Sequence, residues 1–520
     1  MRLRLSRDPF VWLLLLLGTI LLLTNLGSGR LWQDEAETAI LGRNILRYGY
    51  PRAFDGVNLL NPGLPLQEGF AWTYHSWLPM YLVAGSFLLF GINTVAARLP
   101  FAGLGIGCLL LAYRVFKEFT QDRWMARLGA LTLLTNVPFL LHMRQCRYYA
   151  PSVLLSLWAS LAYWRFLRNR RLSGIELFFA LTLLFHADHG VFLPVALGLG
   201  LHFALSRPSP QEWHRALALA VVLLASTVPW IIYLQAGQHH RAFSWVEVRH
   251  HLEFYFRQIN RYLMPLGFWL LACILWRPPL RSLIGAPGTP VRRAWGLVGS
   301  LLSVGMLFLI LIPEQRHFRY LMFLVPWFFL VQATLLAQLF RSRGWIGLIL
   351  TVVLLSTDLI QYSGTSLLAA QIPSVRSKLS SPNVKVRSLP LEFLGELTHS
   401  YRGPMDGIVD LLKAQGRPGQ VVKIPYEEHP LIFYTDLRIE PFLKPEDFRR
   451  ETFPDWIVLR RDWVSPDFFQ SSYYREILSR YKQVLLDAPD IPWQNRPDPG
   501  YHRFRTDAQA PPVIVFQKQQ

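Results

Sequence analysis

Acidic residues and cysteines are what this 520-residue sequence is short of. Lys and Arg number 53 against 34 Asp and Glu, a formal charge of +19, yet charged residues of both signs reach only 17%. A basic excess of that size suits a nucleic-acid partner. Hydrophobic residues at 52% and a mean hydropathy of +0.24 argue against that partner and for a bilayer. The three cysteines, Cys108, Cys146 and Cys273, are scattered through the apolar half and suggest neither a disulfide framework nor a zinc site. There is no internal repeat, no Gly-rich phosphate loop and no low-complexity tract. Collagen-like, disulfide-rich and disordered classes are excluded with them.

What is there is a long series of apolar runs. Runs near 9–27, 98–116, 128–141, 150–166, 175–187, 190–205, 216–234, 262–276, 294–312, 320–340 and 345–361 approach the roughly 20 residues that a transmembrane helix needs. Arg2, Arg4 and Arg7 precede the first, which fits a retained anchor better than a cleaved signal because no small-residue cleavage site follows. The stretch Trp77–Gly91 is ambiguous: 15 residues with Pro79 near its start. Charge decides its role. Residues 1–365 carry 32 basic and 15 acidic side chains. If Trp77–Gly91 lies at the interface, nineteen of those 32 gather in short loops on the N-terminal side, among them Arg114/Lys117/Arg123/Arg127 and Arg277/Arg281/Arg292/Arg293. If it spans, the positive-inside rule fails at five loops. The expectation is eleven spans over residues 1–365, a cytoplasmic N-terminus and an outer tail.

The tail, 366–520, is nearly neutral, with 21 basic and 19 acidic residues, and its runs are broken by Pro and Gly. Val421–Ile424, Trp456–Leu459, Gln483–Leu486 and Val513–Phe516 look like strands, Met405–Ala414 and Glu428–Tyr434 like helices. The fold class expected is therefore an α-helical polytopic membrane domain, 1–365, followed by a soluble extracytoplasmic α/β domain, 366–520.

With that topology the unusual side chains face outward. Asp34 and Glu35, with Glu37 beyond, lie just past the first span. Carboxylates there are costly unless paired, hydrated or used. They could take a proton from an acceptor hydroxyl or hold a divalent cation; equally, Asp34 could be the N-cap of an interfacial helix Ala36–Tyr48. Arg144 and Arg147 stand three apart beside His142, Tyr148 and Tyr149, so on one helical face they could grip an anion together. Arg316, His317, Arg319 and Tyr320, after Glu314, repeat that composition at another outer end. The ordinary alternative for both is snorkelling to headgroups. His186-Ala187-Asp188-His189 lacks the i, i+4 pair of a helical zinc motif and reads as a turn with hydrogen-bonded histidines. The loop at about 235–261, with His239, His240, Arg241, Phe243, Trp245, His250 and His251, reads as an interfacial segment that could cover a site.

The order of these features resembles the GT-C membrane glycosyltransferases, nearest the group of lipid A aminoarabinose transferases and protein O-mannosyltransferases. The resemblance is carried by Asp34-Glu35-Ala36 with Ala39-Ile40-Leu41-Gly42-Arg43-Asn44-Ile45-Leu46-Arg47-Tyr48-Gly49. Phe90-Gly91-Ile92-Asn93-Thr94-Val95-Ala96-Ala97-Arg98-Leu99-Pro100 follows, then Arg144-Gln145-Cys146-Arg147-Tyr148-Tyr149 and Phe318-Arg319-Tyr320. It covers 1–340 and extends to the tail only in general layout. It implies a polyprenyl-phosphate-linked sugar as donor, and transfer to a lipid, glycan or protein hydroxyl on the outer face of the cell membrane. Asp34 matches the catalytic carboxylate, Glu35 its acidic neighbour, and Trp77–Gly91 an interfacial helix of the first loop. Where many relatives carry Lys-Pro-Pro this chain has Tyr74-His75-Ser76-Trp77-Leu78-Pro79, so His75 stands near the lysine's place. The expected donor-phosphate residues are His75, Arg144, Arg147, Tyr148, Arg316, Arg319 and Tyr320. No cofactor is required; a divalent metal on Asp34 and Glu35 is allowed. A transporter or flippase of lipid-linked saccharides, holding the phosphate with the same arginines, is the competing reading, although paired broken helices and internal repeats are not seen.

Overall fold

The computed structural model describes residues 8–63, 66, 68–233, 244–276, 283–312, 315–361, 387–441, 453–491, 495–505 and 509–519. The chain divides into two compact units, neither of them one stretch of sequence. The first comprises Met1–Thr24, Tyr74–Leu78 and Phe101–Leu394; the second comprises Asn25–Thr73, Pro79–Pro100 and Gly395–Gln520. The division at 365 follows a change in composition, whereas the contacts group most of the first loop with the C-terminal part.

In the first unit, helices stand where the apolar runs stood, from Pro9–Leu23 through Gly344–Ser356. By length and composition four helices can cross a bilayer: Thr94–Thr120, Pro210–Tyr233, Pro290–Leu311 and Phe318–Ser342. The number rises to six if two bent pairs each count as one span. The expected count of eleven spans is not confirmed by the described residues. Several apolar helices are only 10–17 residues long, among them Ser173–Ala187 and His189–Leu205. Others are interrupted. Arg123–Leu134 and Val137–Met143 meet at 69°, where Asn136 caps the second helix through Phe139 N and Pro138 withholds an amide donor.

Packing inside this unit follows the absence of water. Ser152, Ser156 and Ser160, one per turn of Tyr149–Leu167, return their hydroxyls to the carbonyls of Tyr148, Ser152 and Ser156, so small buried side chains stay satisfied. Gly198 lets helix His189–Leu205 approach Pro290–Leu311 closely, since a Cβ there would lie 3.2 Å from the Leu301 Cα. Leu193, Leu197, Leu201 and Leu205 face outward at helical spacing, as do Leu217, Val221, Leu224 and Val228. Such apolar outer faces fit lipid contact. The chain is a multi-pass membrane protein.

In the second unit, a five-stranded sheet has the order β2-β1-β3-β5-β4. Its strands are β1 Val421–Ile424, β2 Arg438–Pro441, β3 Trp456–Leu459, β4 Tyr481–Pro489 and β5 Pro512–Lys518. β2, β1 and β3 are parallel, while β5 is antiparallel to β3 and β4. β3 is buried along its length, as a central strand should be. Ile457, Leu459, Ile514 and Phe516 pack there with Ile477 of helix Ser472–Arg480. The four strands and two helices read from the tail are all present; β2 escaped notice because it is short and carries two charges and a proline.

Candidate active site

In the second unit the helix Gln33–Tyr48 starts three residues earlier than expected, with Trp32 and not Asp34 as its N-cap. Asp34 sits half-buried in the first turn, where the helix dipole favours a carboxylate. Glu35, fully buried, is held by Arg98: Nε donates to one oxygen at 2.9 Å and Nη2 to the other at 2.7 Å. The same guanidinium donates through Nη1 to the carbonyls of Leu26 and Ser28 at 3.0 and 2.9 Å. Arg98 thus fixes both the turn leading into the helix and the acid beside Asp34. Gln33 donates to Glu428 at 2.8 Å, Leu31 N donates to the Tyr434 hydroxyl at 3.0 Å, and Asn61 donates to Glu37 at 3.0 Å. Asp34 is thereby presented on a turn anchored on every side. Glu35 has both oxygens on Arg98. Among the described residues no group of three or more His, Cys, Asp or Glu side chains could hold a metal ion.

In the first unit Arg144 and Arg147 do not share a helical face. Helix Val137–Met143 stops before them, and the turn to Tyr149–Leu167 sends them different ways. Arg144 donates to the carbonyls of Leu21 and Thr24, each at 2.9 Å, and ties down the C-terminal end of Pro9–Leu23. Arg147, buried, points its Nη2 at His75 Nε2, 2.9 Å away. His75 packs against the rings of Tyr74 and Tyr148. Burial, then the charges of Arg147, His189 and Arg319, holds its imidazole well below the usual histidine range, so it is neutral and accepts from Arg147.

The next residue, Ser76, is pinned to the turn that follows Ser173–Ala187. Its hydroxyl donates to the Phe185 carbonyl at 3.0 Å and lies 3.1 Å from His189 Nδ1. Asp188 caps the following helix, accepting from Gly190 N and Val191 N at 3.0 and 3.2 Å. Burial pushes its carboxyl up to about 6 against these bonds and the Arg147 charge. His186-Ala187-Asp188-His189 is a turn with hydrogen-bonded side chains, as read from its spacing.

Arg319 joins the same neighbourhood. Its charge acts on both His75 and Tyr148, and its guanidinium lies 5.7 Å over the Tyr320 ring. Burial raises the Tyr148 hydroxyl well above the usual tyrosine range, so it remains a donor. Arg316 is exposed, and Gln315 bonds to His317 at 2.8 Å. Two guanidiniums, a neutral imidazole and tyrosine hydroxyls are thus gathered at these turns. Arg2, Arg4, Arg7, His239, His240, Arg241, Phe243, Arg277, Arg281 and Glu314 lie outside the described residues. The described remainder of the 235–261 loop forms an amphipathic helix, Trp245–Tyr262, exposing Trp245 and Val246 and burying Tyr255 and Ile259.

Arg98, Ser76, Asp188 and His189 were not singled out as site residues from the sequence. The available signal for Arg98 was an arginine at the start of an apolar run, in a chain whose basic residues lie mostly in the loops between such runs.

No family model matches the chain, and no curated protein matches it either. Solved structures do. ArnT from Cupriavidus metallidurans in the apo state is 14% identical, with a TM-score of 0.54 over 98% of this chain and 97% of ArnT. The same protein bound to undecaprenyl phosphate is 16% identical at the same score and coverage. Arabinofuranosyltransferase AftD from Mycobacteria is 15% identical, with a TM-score of 0.53 over 99% of this chain and 40% of AftD. The described helices, the first loop and the small C-terminal sheet are therefore those of a GT-C fold, the architecture of these membrane glycosyltransferases.

Proposed function

We propose that the chain is a membrane glycosyltransferase that moves a sugar from a polyprenyl-phosphate donor to a hydroxyl acceptor on the outer face of the membrane, with inversion. The observation that carries this reading is the gathering of Arg147 and Arg319, from two distant turns, about a neutral His75 and Tyr148. The ArnT structure with undecaprenyl phosphate supports a lipid phosphate as the anion.

In the proposed reaction the Asp34 carboxylate takes the acceptor's hydroxyl proton as that oxygen attacks the anomeric carbon. The bond from that carbon to the phosphate oxygen breaks, and the polyprenyl phosphate departs with its electron pair. Arg147, Arg319 and the tyrosine hydroxyls offset the charge growing on the phosphate, usually the largest part of such catalysis. His75 keeps Arg147 oriented, and Arg316 adds a peripheral charge. Arg144 is a positioning residue, and Glu35 with Arg98 sets the direction of Asp34. A divalent cation is not used in this scheme.

The test is an Asp34→Asn protein given radiolabelled polyprenyl-phosphate sugar and membrane acceptors. Loss of transfer in a folded protein that still binds the lipid is the expected result; full transfer would remove the base. Movement of the lipid across vesicles without cleavage of the sugar–phosphate bond would establish the transporter reading instead.

A further inference from the structure

The C-terminal sheet carries a second constellation, which the proposed chemistry does not use. β1 has β2 on one side and β3 on the other, and all three are parallel. The connections leaving β1 and β3 therefore diverge, and in open α/β sheets ligands bind at the carboxyl ends of the strands at such a point. β4 runs in the same direction as β3, because both are antiparallel to β5, so its carboxyl end lies on the same edge.

The residues leaving these strands meet. Arg460, directly after β3 and 1% exposed, donates to Glu427 after β1 and to Asp490 after β4, the latter at 2.7 Å. Glu427 has φ 67° and ψ 35°, left-handed backbone that a non-glycine residue rarely adopts and that clusters at ligand sites. Beside it Tyr426 stacks on Trp463, with ring centroids 4.1 Å apart and planes 26° apart, each ring half-buried. The next residue along, Glu428, accepts from Gln33, the neighbour of Asp34.

We infer that this edge is a binding subsite for an uncharged saccharide, the glycan part of the acceptor. This rests on the glycosyltransferase reading above. A sugar ring offers C–H faces to an aromatic platform and hydroxyls to polar groups; Tyr426 and Trp463 supply the first and half-buried Glu428 the second, while the buried Arg460, Glu427 and Asp490 hold the edge in shape. Glu427, Arg460 and Asp490 together carry one net negative charge, which disfavours a phosphorylated ligand. Glu428 continues the edge to the turn that presents Asp34, so a glycan held here extends toward the base.

The experiment is saturation-transfer NMR on the full chain in nanodiscs. The probes are the methyl α-glycosides of mannose, galactose and arabinose, with mannose 6-phosphate for comparison. At least one methyl glycoside should bind at millimolar concentration, and Trp463→Ala should weaken it by about tenfold or more. Trp463→Phe should restore binding; Trp463→Leu, which keeps bulk without a π-face, should not. Trp463→Leu also serves as the test if the alanine variant fails to fold. Unchanged binding in Trp463→Leu, no glycoside bound by wild type, or tighter binding of mannose 6-phosphate would each overturn the subsite. Asp34→Asn should bind glycosides normally while losing transfer. A wild-type protein that binds them but never transfers sugar would instead overturn the glycosyltransferase reading.

Discussion

In the unit that carries Asp34, acids meet arginines: Glu35 lies on Arg98, Asp55 on Arg43, and Glu427 and Asp490 on Arg460. The membrane unit has such pairs too, Asp8 on Arg127 and Glu176 on Arg165, and it also sets arginines beside neutral groups. Arg147 faces the His75 imidazole, Arg319 the Tyr320 ring, and Arg144 the carbonyls of Leu21 and Thr24. One acid in that neighbourhood, Asp188, is pushed toward its protonated form. In the proposed reaction Asp34 of one unit supplies the carboxylate, and Arg147 and Arg319 of the other receive the phosphate.

The sharpest break of that division would come from Asp34→Asn. Transfer should fall by about 100- to 10,000-fold, the span of a lost general base, while undecaprenyl phosphate still binds. Equal loss of lipid binding would mean that the acid also belongs to the anion site. Next in size is Glu35→Gln, which leaves the Arg98 guanidinium buried without its carboxylate and should cost about 3–5 kcal/mol of stability. Thermal unfolding in detergent measures it, and Glu35→Leu combined with Arg98→Met should recover much of the loss. Stability unchanged by Glu35→Gln would show that the pair does not fix the turn.

Arg147→Ala and Arg319→Ala should each weaken undecaprenyl phosphate binding by about 10- to 100-fold, as loss of a charge-assisted hydrogen bond does. Binding unaffected by both would return these arginines to a structural role. The smallest effect is on pH. Protonating Asp188 near its value of about 6 removes a negative charge beside Arg147, so lipid-phosphate affinity should rise by about two- to fivefold as pH drops below 6. Asp188→Asn should show no such rise beyond the lipid's own titration. On stability the signs differ. The raised carboxyl of Asp188 stabilises at low pH, a contribution lost as pH climbs from about 3.8 through 6, whereas the lowered imidazole of His75 contributes above about 6.5 and loses that contribution as pH falls.

Much of the fold was legible because it rests on local rules. Apolar runs became helices, and the short alternating segments of the tail became β1, β3, β4 and β5. Helix lengths were less legible: Pro138 and the cap at Asn136 break one run, and several others yield short helices. Of the site, residue types and order could be read, but partnerships could not. Arg98 finds Glu35 across 63 residues, and nothing in either neighbourhood announces it. The i, i+3 spacing of Arg144 and Arg147 suggested a shared face and failed because the helix ends one residue earlier.

The unit that presents Asp34 is assembled from Asn25–Thr73, Pro79–Pro100 and Gly395–Gln520. A ribosome adding about 5–20 residues per second needs roughly 15–60 s to make the intervening 300 residues or so. During that interval the first loop exists without Tyr434, Glu428 or the sheet that supports them. Arg98 is already there to hold Glu35, but the bonds from Leu31 and Gln33 to Tyr434 and Glu428 can form only after those residues have been made. A chain truncated before Gly395 would therefore have membrane helices and an unfinished acid-bearing turn.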